Sequence, residues 1–126
     1  MNIIISNTSK EPIYKQLEIQ IIDQIISGTL VENTPLPSIR KLARILGISV
    51  ITVKRAYEDL EREGYINTRS GKGSFVSNQN IDVLIKKQTT KLEKNLAKTI
   101  QDMFKLGIEK KEIIETVSAL CKEDLK

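Results

Sequence analysis

The stretch "GISVITVKRAYEDLE", Gly47–Glu61, contains two conflicting signals for secondary structure. Its four consecutive β-branched residues, Val50–Val53, are typical of a β-strand. Apolar residues then recur at helical spacing, at Val53, Ala56, Tyr57 and Leu60. Ser49 can cap a helix, and the β-branched residues cost such a helix only roughly a few tenths of a kcal/mol each. The stretch therefore predicts a helix that begins after Ser49, reaches Glu63 and ends at Gly64.

Two further helices are predicted upstream of this stretch. An amphipathic helix runs from Pro12 to about Ser27, with proline at its start and Gly28 after its end. A second, short helix has Ser38 as its N-cap and reaches Leu46 before a tight turn. The inward face of this short helix is formed by Ile39, Leu42, Ala43 and Leu46.

The segments downstream predict a hairpin and two more helices. "YINTR" and "SFVS" are short alternating runs joined by "SGKG", which is typical of a β-hairpin with glycines at its tip. After a polar linker, "SNQN", the apolar spacing predicts a long helix over about 81–106, which Gly107 ends. A last helix has Ile113, Val117, Leu120 and Cys121 on its apolar face, where we expect Cys121 to be a buried thiol.

Composition limits the kinds of protein that this chain can be. Its 126 residues, 40% hydrophobic and 29% charged, are enough for one ordinary folded domain, or for a small domain with an oligomerising appendage. No apolar run suits a membrane span and no signal peptide is evident, so we expect a cytoplasmic protein without membrane contact. With one Cys and no His, an internal disulfide and a His/Cys zinc site are excluded. We find no nucleophile–base set or phosphate loop, and we expect neither an enzyme nor a metal or cofactor.

Charge is distributed unevenly along the middle of the chain. The net charge of +4 is mild, but from Leu36 to Tyr57 there are five basic residues and no acidic one. Acidic residues follow at once, at Glu58, Asp59, Glu61 and Glu63. This change of sign favours a face that binds a polyanion, with the acidic residues kept at its far end.

The predicted order of helix, short helix, turn, helix and hairpin is that of a winged helix-turn-helix. Three segments closely resemble the DNA-binding domain of the GntR family of bacterial transcription factors: "PIYKQLEIQIIDQIISGTL", "LPSIRKLARILGISVITVKRAYEDLEREGYI" and "RSGKGSFV". The resemblance covers about residues 10–78. One departure is Glu32-Asn33, where the family usually has Pro-Gly; we expect Asn33 to supply the left-handed turn conformation instead.

The resemblance implies a mainly α fold with a small β-hairpin wing. We assign residues 1–78 to a winged helix-turn-helix domain and residues 79–126 to a helical dimerisation domain of two helices. Such a short second part is similar to the YtrA-type members of the family, which the resemblance associates with operons for ATP-driven transporters.

The residues expected to contact double-stranded DNA lie at two helix starts and in the wing. Ser38 can cap its helix and contact a phosphate, and Arg40 can bind phosphate or guanine. The full predicted set is Ser38, Arg40, Ser49, Val50, Thr52, Lys54, Arg55, Arg69, Ser70, Gly71 and Lys72. Tyr57 and Phe75 are interpreted as core residues, with the alternative that the Tyr57 hydroxyl faces a phosphate.

Val50 and Ile51 follow the cap, where the resembled family often has polar residues or Arg that read bases. Apolar side chains here could contact thymine methyl groups in the major groove. In the alternative, Ile51 packs inward and Val50 alone faces DNA.

The two C-terminal helices have apolar faces too large for a helical hairpin to bury by itself, so they predict a symmetric dimer. The residues expected at the dimer contact are Ile85, Leu92, Leu96, Ile100, Phe104, Ile113, Val117 and Leu120. The alternative is that these helices pack back on the winged domain.

Together these features predict a homodimeric, sequence-specific DNA-binding regulator, a repressor that binds an inverted-repeat operator on the nucleoid. The alternative is a winged-helix protein-interaction module with little DNA affinity. If a small-molecule effector exists, we expect its site at the dimer interface or the linker.

Overall fold

The computed structural model describes residues 1–78 and 80–123. Within these residues the chain forms five helices and one antiparallel hairpin: α1 Ile13–Ile26, α2 Ile39–Leu46, α3 Val50–Arg62, β1 Ile66–Arg69, β2 Gly73–Val76, α4 Ile81–Lys105 and α5 Lys110–Lys122. The predicted mainly α fold with a β-hairpin wing is confirmed. The chain divides into two compact units, Met1–Ile85 and Lys86–Lys126.

The conflicting signals in the opening stretch resolve as a helix. The Ser49 hydroxyl accepts a hydrogen bond from the backbone N–H of Ile51 at 3.1 Å, which satisfies a donor that the first turn leaves unpaired. One face of α3 is buried, through Val53, Ala56, Tyr57 and Leu60. Because helical spacing places all four side chains on this face, their burial outweighs the local β propensity of Val50–Val53.

The core of the first unit lies where α1, α2, α3 and the hairpin meet. Its most completely buried large side chains come from separate elements and include Leu17, Ile21, Val53, Leu60, Tyr65 and Val76. Leu84, in the first turn of α4, is also buried in this core. The compact unit therefore continues to Ile85, beyond residue 78, where the sequence placed the end of the winged domain.

The wing has a third segment beside its two strands. In the hairpin, Ile66 is opposite Val76 and Arg69 is opposite Gly73. The loop before α2 pairs with the outer side of β2 through a bridge between Pro35 and Phe75. This loop turns at Asn33, whose φ of 65° is the left-handed conformation expected from the sequence.

The first residues of the chain are held against α1 by its glutamines. The side-chain amide of Gln20 bonds to both the N–H and the C=O of Ile4, at 2.9 and 2.7 Å. The Gln16 amide bonds in the same way to the N–H and the C=O of Ser6, and the Gln24 amide donates to the carbonyl of Asn2. Glutamines four positions apart lie on one helix face, so α1 presents a row of amides to alternate residues of the segment.

The second unit leaves much of its apolar surface uncovered. Leu92, Leu96, Phe104, Val117 and Leu120 are all exposed, whereas Ile113 is buried within the single chain. Cys121 is exposed as well, so the expectation of a buried thiol is wrong for this chain. The physical reason is that nothing within the described part of the chain covers this side of α5.

Across the described helices, none combines the length and the apolar character that a membrane span requires. Within residues 1–78 and 80–123, no cluster of three or more His, Cys, Asp or Glu side chains could hold a metal ion.

Candidate nucleic-acid interface

The start of α2 and the start of α3 are built in the same way. The Ser38 hydroxyl accepts from the backbone N–H of Lys41, and the Ser49 hydroxyl accepts from that of Ile51, each at 3.1 Å. Both serines are exposed. A helix N-terminus carries partial positive charge and directs N–H groups outward, so both positions suit a phosphate oxygen.

The turn between these helices depends on Gly47. Its φ of 67° is left-handed, and its N–H bonds to the carbonyl of Arg44 as α2 ends. Glycine adopts this conformation without the steric cost of a Cβ. Gly47 therefore allows α2 and α3 to be separated by only three residues, as a helix-turn-helix requires.

Basic side chains on both helices face solvent. Arg40, Lys41 and Arg44 of α2 and Lys54 of α3 are exposed. In the part of the chain that the structure describes, no ion pair involves any of these four residues. Their charge is therefore available to an anionic partner.

Arg55 is held in place by an aromatic ring. Its guanidinium carbon lies 3.7 Å from the centre of the Tyr14 ring on α1, within the range of a cation–π contact. Stacking on one face leaves the N–H groups at the guanidinium edge able to donate. This contact could not be predicted from the sequence, because 41 positions separate the two residues.

Tyr57 joins α3 to the segment before α2. Its hydroxyl donates to the backbone carbonyl of Pro37 at 2.7 Å, and burial raises the pKa of the phenol. The prediction that Tyr57 is a core residue is confirmed, and the alternative of a hydroxyl facing phosphate is wrong. The bond fixes the start of α2 relative to α3.

Val50 and Ile51 are both exposed in the first turn of α3, at 41% and 78%. The alternative in which Ile51 packs inward is therefore wrong. The reason is the position of the cap: with Ser49 at the N-cap, Val53 is the first apolar residue of the helix to face the core. Thr52 is half-buried.

The wing presents its tip through two left-handed glycines. Gly71 has φ of 72° and Gly73 has φ of 100°, and the N–H of Lys72 closes the turn onto the carbonyl of Arg69 at 2.9 Å. Ser70, Gly71 and Lys72 are exposed. The tip therefore brings backbone N–H groups and one lysine to the surface.

Arg69 supports the wing as well as facing solvent. Its guanidinium carbon lies 4.1 Å from the centre of the Phe75 ring, and it donates to the side-chain oxygen of Asn33 at 2.8 Å. Phe75 is only half-buried, so its interpretation as a core residue is wrong; its ring packs against Arg69 instead.

Comparison with a family model and comparison with known proteins point to the same class of protein, bacterial transcriptional regulators. A profile described as "Bacterial regulatory proteins, gntR family" matches residues 13–76. The HTH-type transcriptional repressor YtrA of Bacillus subtilis (strain 168) is 32% identical over 112 residues, covering 89% of this chain and 86% of that protein.

Solved structures extend the similarity to the second unit. A transcriptional antiterminator from Listeria monocytogenes EGD-e has 33% identity and a TM-score of 0.72, over 97% of this chain and 91% of that one. YtrA from Sulfolobus acidocaldarius, a GntR-family transcription factor, has 32% identity and a TM-score of 0.59, over 98% of this chain and 100% of that one.

The chain has two capped helices joined across a glycine turn, an exposed basic face and a hairpin wing. Together these features define a winged helix-turn-helix DNA-binding protein. The chain belongs to the GntR family of bacterial regulatory proteins and is one of its short, YtrA-type members. As the family and these relatives are transcriptional regulators, the protein is a DNA-binding regulator and not an enzyme.

Proposed function

We propose that the protein is a homodimeric repressor that binds an inverted-repeat operator, with the α4–α5 unit joining two copies. The observation that carries this proposal is the uncovered apolar surface of α4 and α5. The role of repressor rests on the name of the YtrA relative, and the resemblance to short members suggests a transporter operon as the target. The site of action would be the cytoplasm, on the nucleoid.

The DNA-binding half of the proposal rests on the exposed basic face. In this arrangement α3 enters the major groove, while Ser38, Arg40, Lys54 and Arg55 contact the backbone or base edges near it. The wing tip, Arg69–Lys72, would reach the neighbouring phosphates. Most of these contacts are electrostatic, so binding should weaken steeply with salt.

The dimer half rests on side chains that the single chain leaves in water. On α4, Leu92, Leu96, Ile100 and Phe104 recur every four residues, which places them along one side of the helix. Ile100 is half-buried, and the other three are exposed. On α5, Val117 and Leu120 are three residues apart and exposed. Four helices from two chains would bury these surfaces, whereas the two helices of one chain do not.

Dimerisation would also explain how one short helix achieves operator affinity. A single α3 reads one half-site, and a half-site competes poorly with the nonspecific DNA of a genome. Once two domains are joined, the second contact becomes intramolecular, and effective concentration raises affinity without new contacts. An inverted repeat matches the twofold symmetry of such a dimer.

A pocket beside the linker is our candidate for an effector site. It lies in the first unit, has a volume of about 230 Å³ and is mainly apolar. Val76 and Ser77 line one part of it, and Ile81 and Leu84 of α4 line another. A small apolar ligand bound there would contact both the end of the wing and the start of α4.

The test is a pair of charge substitutions on α4. Leu96 is exposed at 51%, so Leu96→Glu should fold normally while placing a carboxylate in the proposed dimer contact. Gln101→Glu adds the same charge on a different side of the helix, about 140° away, and is the matched control. By sedimentation, the wild type and Gln101→Glu should be dimers at micromolar concentration and Leu96→Glu a monomer.

DNA binding by the same proteins completes the test. The wild type and Gln101→Glu should bind an inverted repeat more tightly than a single half-site, and Leu96→Glu should lose this preference. Circular dichroism confirms that each variant is folded. A monomeric wild type, or a Leu96→Glu dimer of unchanged strength, would contradict the proposed interface.

A further inference from the structure

Two adjacent apolar side chains stand exposed at the first turn of α3. Ile51 is 78% exposed and Val50 is 41% exposed, although the same helix buries its other apolar residues in the core. Single exposed apolar residues are common on protein surfaces and need no explanation. These two are neighbours at the helix end that the proposed function directs into the major groove.

The surroundings of this pair are polar and basic. Ser49 precedes it and caps the helix, and Lys54 and Arg55 follow it within the next turn, both exposed. Arg40 and Arg44 are exposed on α2. No acidic residue occurs between Leu36 and Tyr57. The positive charge around Val50 and Ile51 therefore suits the anionic backbone of DNA and would repel another basic protein surface.

The major groove offers one kind of apolar group to such side chains. Guanine, adenine and cytosine present hydrogen-bond donors and acceptors there, whereas thymine adds the methyl group on C5. Ile51 and Val50 have no side-chain donor or acceptor, so neither can make a bidentate bond to guanine or adenine. Base recognition by these two side chains must therefore use apolar contact.

We propose that Ile51, with Val50 beside it, recognises the C5 methyl group of thymine in each operator half-site. The inference rests on the proposed DNA-binding function and names the chemical group that the operator must present. Thr52 is half-buried and Ser49 is engaged as a cap, and Ile51 is the most exposed apolar side chain of this turn. The thymine methyl would shield its apolar surface from water on binding.

The experiment begins with selection of tight sites from a random DNA pool by the full-length protein. Each thymine of the selected half-site is then replaced by uracil, which removes only the C5 methyl group. Affinity should fall about fourfold for each contacted methyl, and one or two positions per half-site should respond.

Two variants connect the effect to Ile51. Ile51→Ala removes most of the apolar surface from an exposed helical position, so the fold should be retained. This variant should lose most of the discrimination between the thymine and uracil sites, since only Val50 and a single alanine methyl remain to contact thymine. Ile4→Ala is the matched control, because Ile4 is almost as exposed, at 73%, and lies outside the helix-turn-helix; it should keep the full discrimination.

The outcomes separate this inference from the proposed function. If the wild type selects a site but binds its uracil form equally well, methyl recognition is overturned while DNA binding stands. If no sequence is selected, both are overturned. If Ile51→Ala keeps the discrimination but weakens self-association, Ile51 belongs to a protein contact and the inference is wrong.

Discussion

The guanidinium of Arg69 in the wing donates a hydrogen bond to the side-chain oxygen of Asn33, with 2.8 Å between the two atoms. Asn33 also uses its backbone, since its N–H bonds to the carbonyl of Val76 at 2.8 Å. One residue with φ of 65° thus turns the loop and attaches it to both strands of the wing. The geometry of the wing therefore depends on a loop residue that lies 36 positions before Arg69 in the chain.

Substitution of Asn33 should separate its two roles. Asn33→Gly keeps access to positive φ but loses the bond to Arg69, whereas Asn33→Ala loses the bond and adds roughly 1–2 kcal/mol for left-handed backbone. In urea unfolding we expect stability to decrease from wild type to Asn33→Gly to Asn33→Ala. An alanine variant as stable as the glycine variant would contradict the role of backbone conformation.

The wing tip should act on DNA through its backbone. A Cβ added at Gly71 meets no neighbouring atom within 4 Å, but φ of 72° is strained for a β-branched residue such as valine. Gly71→Val should therefore reshape the tip and weaken operator binding, while circular dichroism and sedimentation remain those of the wild type. Undiminished affinity with a native fold would show that the tip does not contact DNA.

Arg40 should contribute directly to DNA affinity. Arg40→Ala is expected to cost on the order of 1–3 kcal/mol if the side chain reads a base. If it binds a phosphate instead, affinity should fall evenly across sequences and the salt dependence should become shallower by about one ion. Lys10→Ala, an exposed basic residue before α1, is the control. Titration of each protein with operator DNA at several salt concentrations distinguishes the two cases. An unchanged affinity of Arg40→Ala would exclude both roles.

Glu18 on α1 should make stability depend on pH. It is buried, and burial followed by a hydrogen bond to the Asp59 carboxylate raises the pKa of Glu18 to about 8. The same hydrogen bond lowers the pKa of Asp59, and Arg62 supports that charge with an ion pair at 2.6 Å. The folded protein therefore keeps a proton on Glu18 that the unfolded chain releases above about pH 4.5.

Because the folded state then binds more protons than the unfolded state, stability should fall as pH rises from about 5 to about 8. One such proton accounts for at most about 1.4 kcal/mol per pH unit. Glu18→Gln should remove most of this slope, whereas Glu11→Gln, at an exposed glutamate, should keep it. Urea unfolding across this range provides the measurement; equal slopes in all three proteins would refute the buried proton.

The boundary of the first unit can be tested by truncation. A chain that ends after Ile85 keeps Leu84, which is 2% exposed, in the core, whereas a chain that ends after Ser77 loses it. Loss of a buried leucine costs about 2–5 kcal/mol, so the shorter fragment should melt at a lower temperature. Both fragments should sediment as monomers and bind the operator more weakly than the full chain. Equal melting temperatures of the two fragments would contradict a contribution of Leu84 to the stability of the first unit.

Several local features of this protein were predictable from its sequence. Ser38 and Ser49 cap helices, a tight turn follows α2, and Asn33 supplies the turn where glycine is usual. Each of these depends on a residue and its neighbours within about four positions. A side chain that bonds to its own backbone, or a φ that only some residues adopt, acts the same way in any fold.

Contacts between distant positions were decided by the tertiary structure alone. Three such contacts each join separate elements: the stacking of Arg55 on Tyr14, the hydrogen bond from Tyr57 to Pro37, and the hydrogen bond between Glu18 and Asp59. The exposure of Ile51 and of Cys121 was also undetermined, because an apolar residue on a helix is buried only if another element covers it. Periodicity shows which side chains share a face, but packing of the folded chain determines which faces meet and which remain available to DNA or a second copy.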